Sequence, residues 1–274
     1  MGVEVTVLVD NACACESLRG EHGLSLMVRG DWGRVLLDTG ASGEVLRHNA
    51  AAMGVDLTAL RATVLSHGHY DHAGGLAWLA EQGGGGRLYC HPEAFGGRYV
   101  EHPGQPLKSV GPTVTAQSLR GLGLPTTEVT APMQLEDGLI LSGPIGGPRW
   151  GAELFAVRRG EELVEDLFSD EIFVLARATD GWAVLCGCCH RGLPNTLRLA
   201  RFLIHDEPIA AVVGGLHLRH CGPAEMEEVV ALLQKYGAPA VHAAHCTGEP
   251  AVDYLLKHYP GRTCRLLAGT TLEL

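Results

Sequence analysis

Apolar and polar positions divide the first third of the chain into a hairpin followed by strand–helix pairs. Residues 3–10 alternate and are rich in valine, which predicts a strand, and residues 23–40 hold two apolar runs around a Gly/Asp turn, which predicts a β-hairpin. The segment 43–55 carries apolar residues at helical spacing and ends near a glycine, so it predicts a helix. A short buried strand at 61–66 and a helix at 74–82 are expected to follow.

The last hundred residues repeat this order of elements. Residues 171–190 predict a second hairpin with a Thr-Asp-Gly turn, and residues 223–237 predict an amphipathic helix opened by proline and closed by glycine. The remaining predicted elements are a helix at 195–204, strands at 209–218 and 239–246, a short helix at 250–258 and a closing strand at 264–274. Strands that alternate with helices favour an α/β fold.

The stretch from about 91 to 150 has a different texture. Prolines and glycines are frequent there and periodicity is weak, although 138–143 predicts one short strand. Long excursions in a compact domain usually form lids or binding walls. We therefore expect a single domain over residues 1–274, with a loop-rich excursion at about 91–150 that forms a lid or pocket wall.

Composition narrows the class of protein further. With 46% hydrophobic and 19% charged residues, the chain suits a globular fold rather than a disordered one. A net charge of −10 argues against nucleic acid as a partner, whereas an anionic small substrate could still be held by a metal or a local arginine. Neither a signal peptide nor an apolar run of membrane-spanning length is recognised.

The nine cysteines bear on the compartment and offer a rival metal site. An odd number of cysteines without an export signal favours reduced thiols, so we expect a cytoplasmic protein. The strings CAC (13–15) and CGCC (186–189) could hold a soft ion, but they do not match the C-x2-C spacing of zinc sites. Most cysteines are expected to be small buried residues, and Cys188, Cys189 and Cys246 could support neighbouring ligands.

A cluster of polar residues follows the strand predicted at 61–66. His67 and His69 leave the strand on the same side because side chains alternate, and Asp71 and His72 follow in the next turn. Four ligands from six residues would strain one tetrahedral shell, so two adjacent ions with two local ligands each are expected. Imidazole and carboxylate donors suit zinc best here, with iron or manganese as alternatives.

Further donors are needed to complete two such shells. His190, His217 and His245 each follow an apolar strand-like run, and strand ends along one sheet edge are where α/β folds place their sites. We predict that His190 and His245 are metal ligands. His217 is a ligand, a residue that supports a ligand, or a substrate contact.

Three other polar residues are candidates near the site. Asp38 ends the run VLLD and could orient a ligand imidazole through hydrogen bonds, or could be a turn residue before a glycine. Glu21 and His22 precede the first hairpin and could contact substrate or act as acid and base, or could simply enter the hairpin.

The motifs resemble those of a known family. SHGHYDHAGG is similar to the H-x-H-x-D-H signature of the metallo-β-lactamase fold superfamily, and LLDTG is similar to its aspartate-bearing strand. Further blocks resemble one branch, named as 7,8-dihydropterin-6-yl-methyl-4-(β-D-ribofuranosyl)aminobenzene-5'-phosphate synthase-like metallo-hydrolases. Those blocks lie between residues 20 and 248 and include GEHGLSLMV, GCCHRGLPNTL, VVGGLHL and HCTG.

The resemblance implies a four-layer αβ/βα sandwich of the metallo-β-lactamase type with a two-metal site at the sheet edges. Matched by position, His67 and His69 would bind the first ion, and Asp71 and His72 the second, while His245 matches the family's last histidine. We expect both ions to be zinc, with iron or manganese as alternatives.

The chain also departs from the family pattern. Many members carry a histidine in TPGH and a bridging aspartate in GD, and neither string occurs in this sequence. GCCH stands at about the place of GD, which implies that His190 is a terminal ligand. Asp170, at the start of the preceding strand, is a candidate for the missing donor, and the bridging ligand stays open.

A metal hydroxide is the nucleophile that such a site predicts, because a divalent ion lowers the pKa of bound water from 15.7 to about 7. We predict a hydrolase of a small-molecule ester, phosphodiester or lactone, with Asp71 as the catalytic residue that orients the hydroxide or relays its proton. The branch name suggests the alternative of a transferase that condenses a dihydropterin pyrophosphate with an aminobenzene ribotide. Diiron redox chemistry and a non-catalytic sensor are further alternatives.

Overall fold

The computed structural model describes residues 2–101, 104–148, 150 and 154–274. Its strands are, in chain order, β1 (Glu4–Val9), β2 (Ser25–Gly30), β3 (Gly33–Leu37), β4 (Ala62–Val64), β5 (Arg87–Cys90), β6 (Arg98–Val100), β7 (Lys108–Ser109), β8 (Thr126–Glu128), β9 (Met133–Glu136), β10 (Leu139–Leu141), β11 (Phe155–Arg159), β12 (Glu162–Glu165), β13 (Val174–Ala178), β14 (Gly181–Cys186), β15 (Ile209–Gly215), β16 (Ala240–Ala244), β17 (Arg262–Arg265) and β18 (Thr271–Glu273). Its helices are α1 (Gly43–Ala52), α2 (Tyr70–Ala73), α3 (Leu76–Glu81), α4 (Ala116–Gly121), α5 (Leu193–Leu203), α6 (Pro223–Lys235) and α7 (Glu249–His258).

Two seven-stranded sheets form the centre of the molecule. The strand order is β18-β1-β2-β3-β4-β5-β8 in the first sheet and β17-β16-β15-β14-β13-β10-β9 in the second. Strands β3, β4, β5 and β8 are parallel, as are β14, β15, β16 and β17. Because parallel strands end at the same edge, each sheet gathers several carboxyl ends in one place.

The apolar core lies in three layers around these sheets. Val5 and Val7 of β1 face the second sheet, where residues such as Leu185 meet them, while Leu8 points to the opposite face. This alternation follows from the two-residue period of a strand, and both faces of β1 are covered. Helices α1 and α3 cover the outer face of the first sheet, and α5, α6 and α7 cover that of the second. The result is the expected four-layer αβ/βα sandwich.

Local sequence signals fix where the helices begin. The Ser42 side chain accepts a hydrogen bond from the Val45 amide at 3.2 Å and so caps α1. Helix α6 begins at Pro223, and the preceding Gly222 amide donates to Glu225 Oε2 at 2.7 Å. Gly237, which adopts a φ of 65°, follows the end of that helix as predicted.

The structure differs from the sequence expectation in two regions. Residues 91–150 contain more regular structure than predicted, because β8 extends the first sheet and β9 and β10 extend the second. A separate four-stranded sheet, which we call the small sheet, has the strand order β12-β11-β6-β7. The closing segment 264–274 is not one strand, since β17 joins the second sheet and β18 joins the first. No described helix is long and apolar enough to cross a bilayer.

Candidate metal centre

The predicted polar cluster runs from the turn after β4 into the short helix α2. His67, His69, Asp71 and His72 are all buried there, although they are polar. Gly68, between the first two histidines, packs so closely on the carbonyl of Ala94 that any Cβ atom would overlap it. The glycine therefore lets residues 67–72, which we call the histidine loop, pack against the neighbouring segment that contains Ala94.

Three imidazoles form the first group of donors. The ligand atoms of His67, His69 and His190 lie within 4.8 Å of one another. Their Nε2 atoms are buried and have no hydrogen-bond partner in the part of the chain that the structure describes. Burial lowers the pKa of His69 to about 3 and holds the pKa values of His67 and His190 well below 6.5. Neutral imidazoles with free lone pairs fit a metal ion, which would also satisfy three orphaned nitrogens.

A second group lies around the Asp71 carboxylate. Asp71 Oδ2 is 3.2 Å from His22 Nε2 and 3.3 Å from His245 Nε2. Burial alone would raise the pKa of Asp71, but the close approach of these two histidines and the nearby charge of His72 lower it well below its usual range. The carboxylate is therefore ionised, and the three side chains offer donors within 4.8 Å of one another.

His72 stands between the two groups, and Asp38 orients its ring. Asp38 Oδ2 lies 2.7 Å from His72 Nδ1, and Asp38 Oδ1 accepts a hydrogen bond from the Ser66 amide at 2.7 Å. On the other side of the ring, His72 Nε2 is 3.2 Å from Cys188 Sγ. Burial disfavours a charged imidazole, but the charge of Asp38 and its hydrogen bond outweigh that cost and raise the pKa of His72 to about 9. The contact lets Asp38 orient the His72 ring, and that this ring is a metal ligand stays a prediction.

Two residues at the end of β1, which the sequence analysis did not identify, position His245. Asn11 Oδ1 is 2.9 Å from His245 Nδ1, and Asp10 Oδ1 accepts a hydrogen bond from the His245 amide at 2.8 Å. Burial raises the pKa of Asp10 to about 6. The signal for these residues was a valine strand that ends in Asp-Asn, the same strand-end position that singled out Asp38.

Aromatic rings cover the first group of donors. The ring of Phe168 stacks on His190 with centroids 4.1 Å apart, and Phe155 lies 5.4 Å from His69 and 5.3 Å from His190. Phe155 belongs to β11, so the small sheet reaches the site. The rings of His190 and His217 are 4.3 Å apart, which brings the third strand-end histidine to the same place.

Backbone strain is concentrated at this edge. Seven described non-glycine residues adopt a positive φ, and five of them lie at the site: Asp38, Phe168, Cys189, His217 and His245. Such conformations cost about 1–3 kcal/mol each and persist where the surrounding structure imposes them, often at functional sites.

Two predicted residues have other partners. Asp170 Oδ2 accepts a hydrogen bond from the Gly68 amide at 2.7 Å, and its Oδ1 is 2.6 Å from the buried Arg98 guanidinium. Asp170 therefore supports the histidine loop from behind, which differs from the expectation of a missing metal donor. Glu21 Oε1 accepts hydrogen bonds at 3.0 Å from the amides of Ala41 and Ser42, so it holds the start of α1 rather than facing the donors.

Histidine and carboxylate donors thus gather where strands of the two layered sheets end. The model of the metallo-beta-lactamase superfamily matches residues 18–162. The chain belongs to this superfamily.

Relatives cover almost the whole chain. The crystal structure of Tm1679, described as a metal-dependent hydrolase of the beta-lactamase superfamily, is 32% identical, with a TM-score of 0.85 over 99% of both chains. A protein of Methanocaldococcus jannaschii named 7,8-dihydropterin-6-methyl-4-(beta-D-ribofuranosyl)-aminobenzene-5'-phosphate synthase is 23% identical over 92% of this chain and 90% of its own. Zn(2+)-bound PqqB from Methylobacterium extorquens is 14% identical, with a TM-score of 0.59 over 99% of this chain and 100% of its own, and shares the fold.

Proposed function

We propose that the protein is a metal-dependent hydrolase of a small ester, phosphodiester or lactone. The observation that carries the proposal is the trio of buried, unpartnered Nε2 atoms on His67, His69 and His190 in the described structure. The description of Tm1679 as a metal-dependent hydrolase supports it, because that protein is 32% identical over 99% of this chain.

The side chains present would hold two divalent ions. His67, His69 and His190 would hold one, since their ligand atoms lie within 4.8 Å of one another. Asp71 and His245, which form another such set with His22, would hold the other together with His72. Nitrogen, carboxylate and nearby thiol donors favour zinc over iron or manganese. Bound there, the ions would supply a water of lowered pKa and an electrophile for the substrate oxygen.

The chain's own residues would move the proton and shape the pocket. Asp71 is ionised and its Oδ2 lies 3.2 Å from His22 Nε2, so it can orient a water and relay its proton toward His22. His22 is 43% exposed and gives that proton a path to solvent. Phe155 and Phe168 pack against each other and Phe168 stacks on His190. Phe155 belongs to the small sheet, whose strands β6 and β7 come from the excursion at 91–150, so this sheet would form a wall of the pocket.

The compartment proposed from the sequence is the cytoplasm. All nine cysteines are free thiols, five of them buried, which supports a reducing environment.

A transferase is the second candidate. The M. jannaschii relative is named a synthase and matches 92% of this chain, which favours condensation of a dihydropterin pyrophosphate with an aminobenzene ribotide. The same donors would serve, since displacement of pyrophosphate also needs electrophilic stabilisation of a phosphate oxygen.

The test combines metal analysis with an assay of both reactions. Purified protein should contain divalent metal by elemental analysis, and metal-loaded protein should hydrolyse bis(p-nitrophenyl) phosphate, p-nitrophenyl acetate or a homoserine lactone. His69→Ala should lose metal and lower turnover by ~10³-fold or more, since water without the ion returns toward a pKa of 15.7. His258→Ala, which changes an exposed histidine on α7, is the control.

Two results would contradict the hydrolase. Full turnover and full metal content in His69→Ala would show that His69 does not hold the ion that the reaction needs. Condensation of the pterin and ribotide substrates without hydrolysis of any test compound would favour the transferase.

A further inference from the structure

Cys188 lies where the two groups of donors meet. Its sulfur belongs to three sets of potential ligands, each with atoms within 4.8 Å of one another: one with His67 and His72, one with His190 and His217, and one with His245 and Cys246. His67 and His190 belong to the first proposed ion, and His72 and His245 to the second. The Cys188 sulfur thus lies within 4.8 Å of proposed ligands of both ions.

The chemistry of the donor atoms decides which residue can be shared. An imidazole Nε2 has one lone pair and binds one ion, whereas a thiolate sulfur has several and can bind two. Among the donor groups of the described residues, the Asp71 carboxylate could also bridge, but it groups only with His22 and His245. Cys188 is therefore the donor that can bridge and that also lies near proposed ligands of both ions.

The backbone brings this thiol into the site. β14 ends at Cys186, and Gly187 packs so tightly against Ser66 Oγ that a Cβ atom would overlap it. That close approach carries Cys188 across to the histidine loop, where its sulfur reaches His72 Nε2 at 3.2 Å. Cys189 turns the other way, since its sulfur accepts a hydrogen bond from Thr196 Oγ1 at 3.8 Å and lies in the core beneath α5.

We infer that Cys188 is the shared ligand of the metal centre, a thiolate that bridges the two ions. The inference rests on the proposed two-metal function. The thiol gives up its proton to solvent when the ions bind, as ligating cysteines do. A sulfur bridge selects thiophilic ions, so Zn²⁺, Co²⁺ and Fe²⁺ should be retained and Mg²⁺ should not.

Cobalt substitution tests the bridge without an activity assay. Protein loaded with Co²⁺ should show a sulfur-to-cobalt charge-transfer band in the near ultraviolet and bind two ions per chain by elemental analysis. Cys188→Ser should lose the band and weaken binding of at least one ion by more than ~10-fold, the lower end of what loss of a supporting residue costs. Cys189→Ser is the matched control, and it should keep both the band and the stoichiometry.

A second variant keeps the test decisive if Cys188→Ser fails to fold. Cys188→Asp retains a donor that can bridge, so it should hold both ions without the charge-transfer band. A band that persists in Cys188→Asp, or unchanged binding and spectrum in folded Cys188→Ser, would overturn the inference. Loss of the band only in Cys246→Ser would overturn it as well.

The outcomes separate this inference from the proposed function. Wild-type protein that binds no divalent ion defeats both. Wild-type protein that binds two ions and hydrolyses the test substrates, while Cys188→Ser does so with the same affinity and spectrum, defeats the thiolate bridge alone.

Discussion

The N-terminal half of the chain delivers its donors in one six-residue segment, whereas the C-terminal half delivers one histidine from each of three strand ends. His67 and His69 lie in the turn after β4, and Asp71 and His72 lie in the short helix α2 that follows it directly. His190, His217 and His245 follow β14, β15 and β16. The first half thus concentrates the chemistry in local sequence, and the second half depends on sheet register to assemble it.

The supports of the two halves differ in kind. Buried carboxylates hold the histidine loop, since Asp38 binds Ser66 and His72 and Asp170 binds the Gly68 amide. In the other half, Asp10 Oδ1 accepts a hydrogen bond from the His245 amide and Glu171 Oε1 accepts one from the His190 amide. The neutral amide oxygen of Asn11 lies 2.9 Å from the ring nitrogen Nδ1 of His245. The comparison teaches that carboxylates hold the backbone in both halves, whereas the ring of His72 is oriented by a charged side chain and the ring of His245 by a neutral amide.

The largest expected effect comes from removing the charge behind the histidine loop. Arg98 is 1% exposed and pairs with Asp166 at 2.9 Å and Asp170 at 2.6 Å. Arg98→Met leaves two buried carboxylates uncompensated, so the free energy of unfolding should fall by ~3–5 kcal/mol. Denaturant unfolding of the metal-loaded protein measures this.

A matched arginine on the small sheet provides the control for that change. Arg159 pairs with Glu93 at 2.8 Å, but its side chain is 52% exposed. Arg159→Met should therefore cost less than ~1 kcal/mol. Equal losses in the two variants would mean that the loop does not depend on its buried charge.

An intermediate effect should distinguish the two kinds of support at the ligands themselves. Loss of a residue that orients a metal ligand typically costs ~10–100-fold in metal affinity. Asp38→Ala removes contacts to both Ser66 and His72 and should lie at the upper end, whereas Asn11→Ala removes one contact to His245 and should lie at the lower end. Competition with a chromophoric chelator measures both. A larger loss in Asn11→Ala would reverse the comparison.

The smallest effect is a pH dependence beside the histidine loop. Hydrogen bonds from Arg159 and Ser169 lower the pKa of Glu93 from 4.5 to about 2. A carboxylate with a lowered pKa stabilises the fold above its unfolded value of 4.5, and that stabilisation is lost as pH falls toward 2. Glu93→Gln should therefore be less stable than wild type at pH ~6, by under ~1 kcal/mol for so exposed a pair.

Thermal or urea unfolding of metal-free protein at two pH values checks this prediction. The gap between wild type and Glu93→Gln should narrow from pH ~6 to pH ~3, because below pH 4.5 the unfolded wild-type chain takes up a proton at Glu93 while the folded chain keeps it ionised. A gap that widens with acid would show that Glu93 is not the group responsible.

Much of the fold could be predicted from the sequence because its signals are local. The β2–β3 hairpin, the cap of α6 and the apolar strands each carry their own pattern. Pairing at long range could not be predicted in this way. The closing segment reads as one strand by hydropathy, and only the sheets decide that β17 and β18 join different partners.

The candidate site shows the same difference between local signals, which can be predicted, and long-range contacts, which cannot. The spacing of His67, His69, Asp71 and His72 is readable in one segment, and the structure gathers them. The positions of His22 beside Asp71, and of Cys188 beside His72, arise from residues 49 and 116 positions apart, and no local pattern reports such proximity. Asp170 shows the opposite case. Its position at the start of a strand predicted a metal donor, but its carboxylate pairs with Arg98.

The positive-φ residues have a consequence for attempts to make this protein more heat resistant. Of the seven, His205 and Asp206 lie in the turn after α5, away from the donors, so glycine there would relieve strain without touching the chemistry. The other five residues lie at the donor site. Substitutions selected only for heat resistance would replace them and disturb that site. Heat resistance and activity in this molecule therefore depend on the same backbone torsion angles.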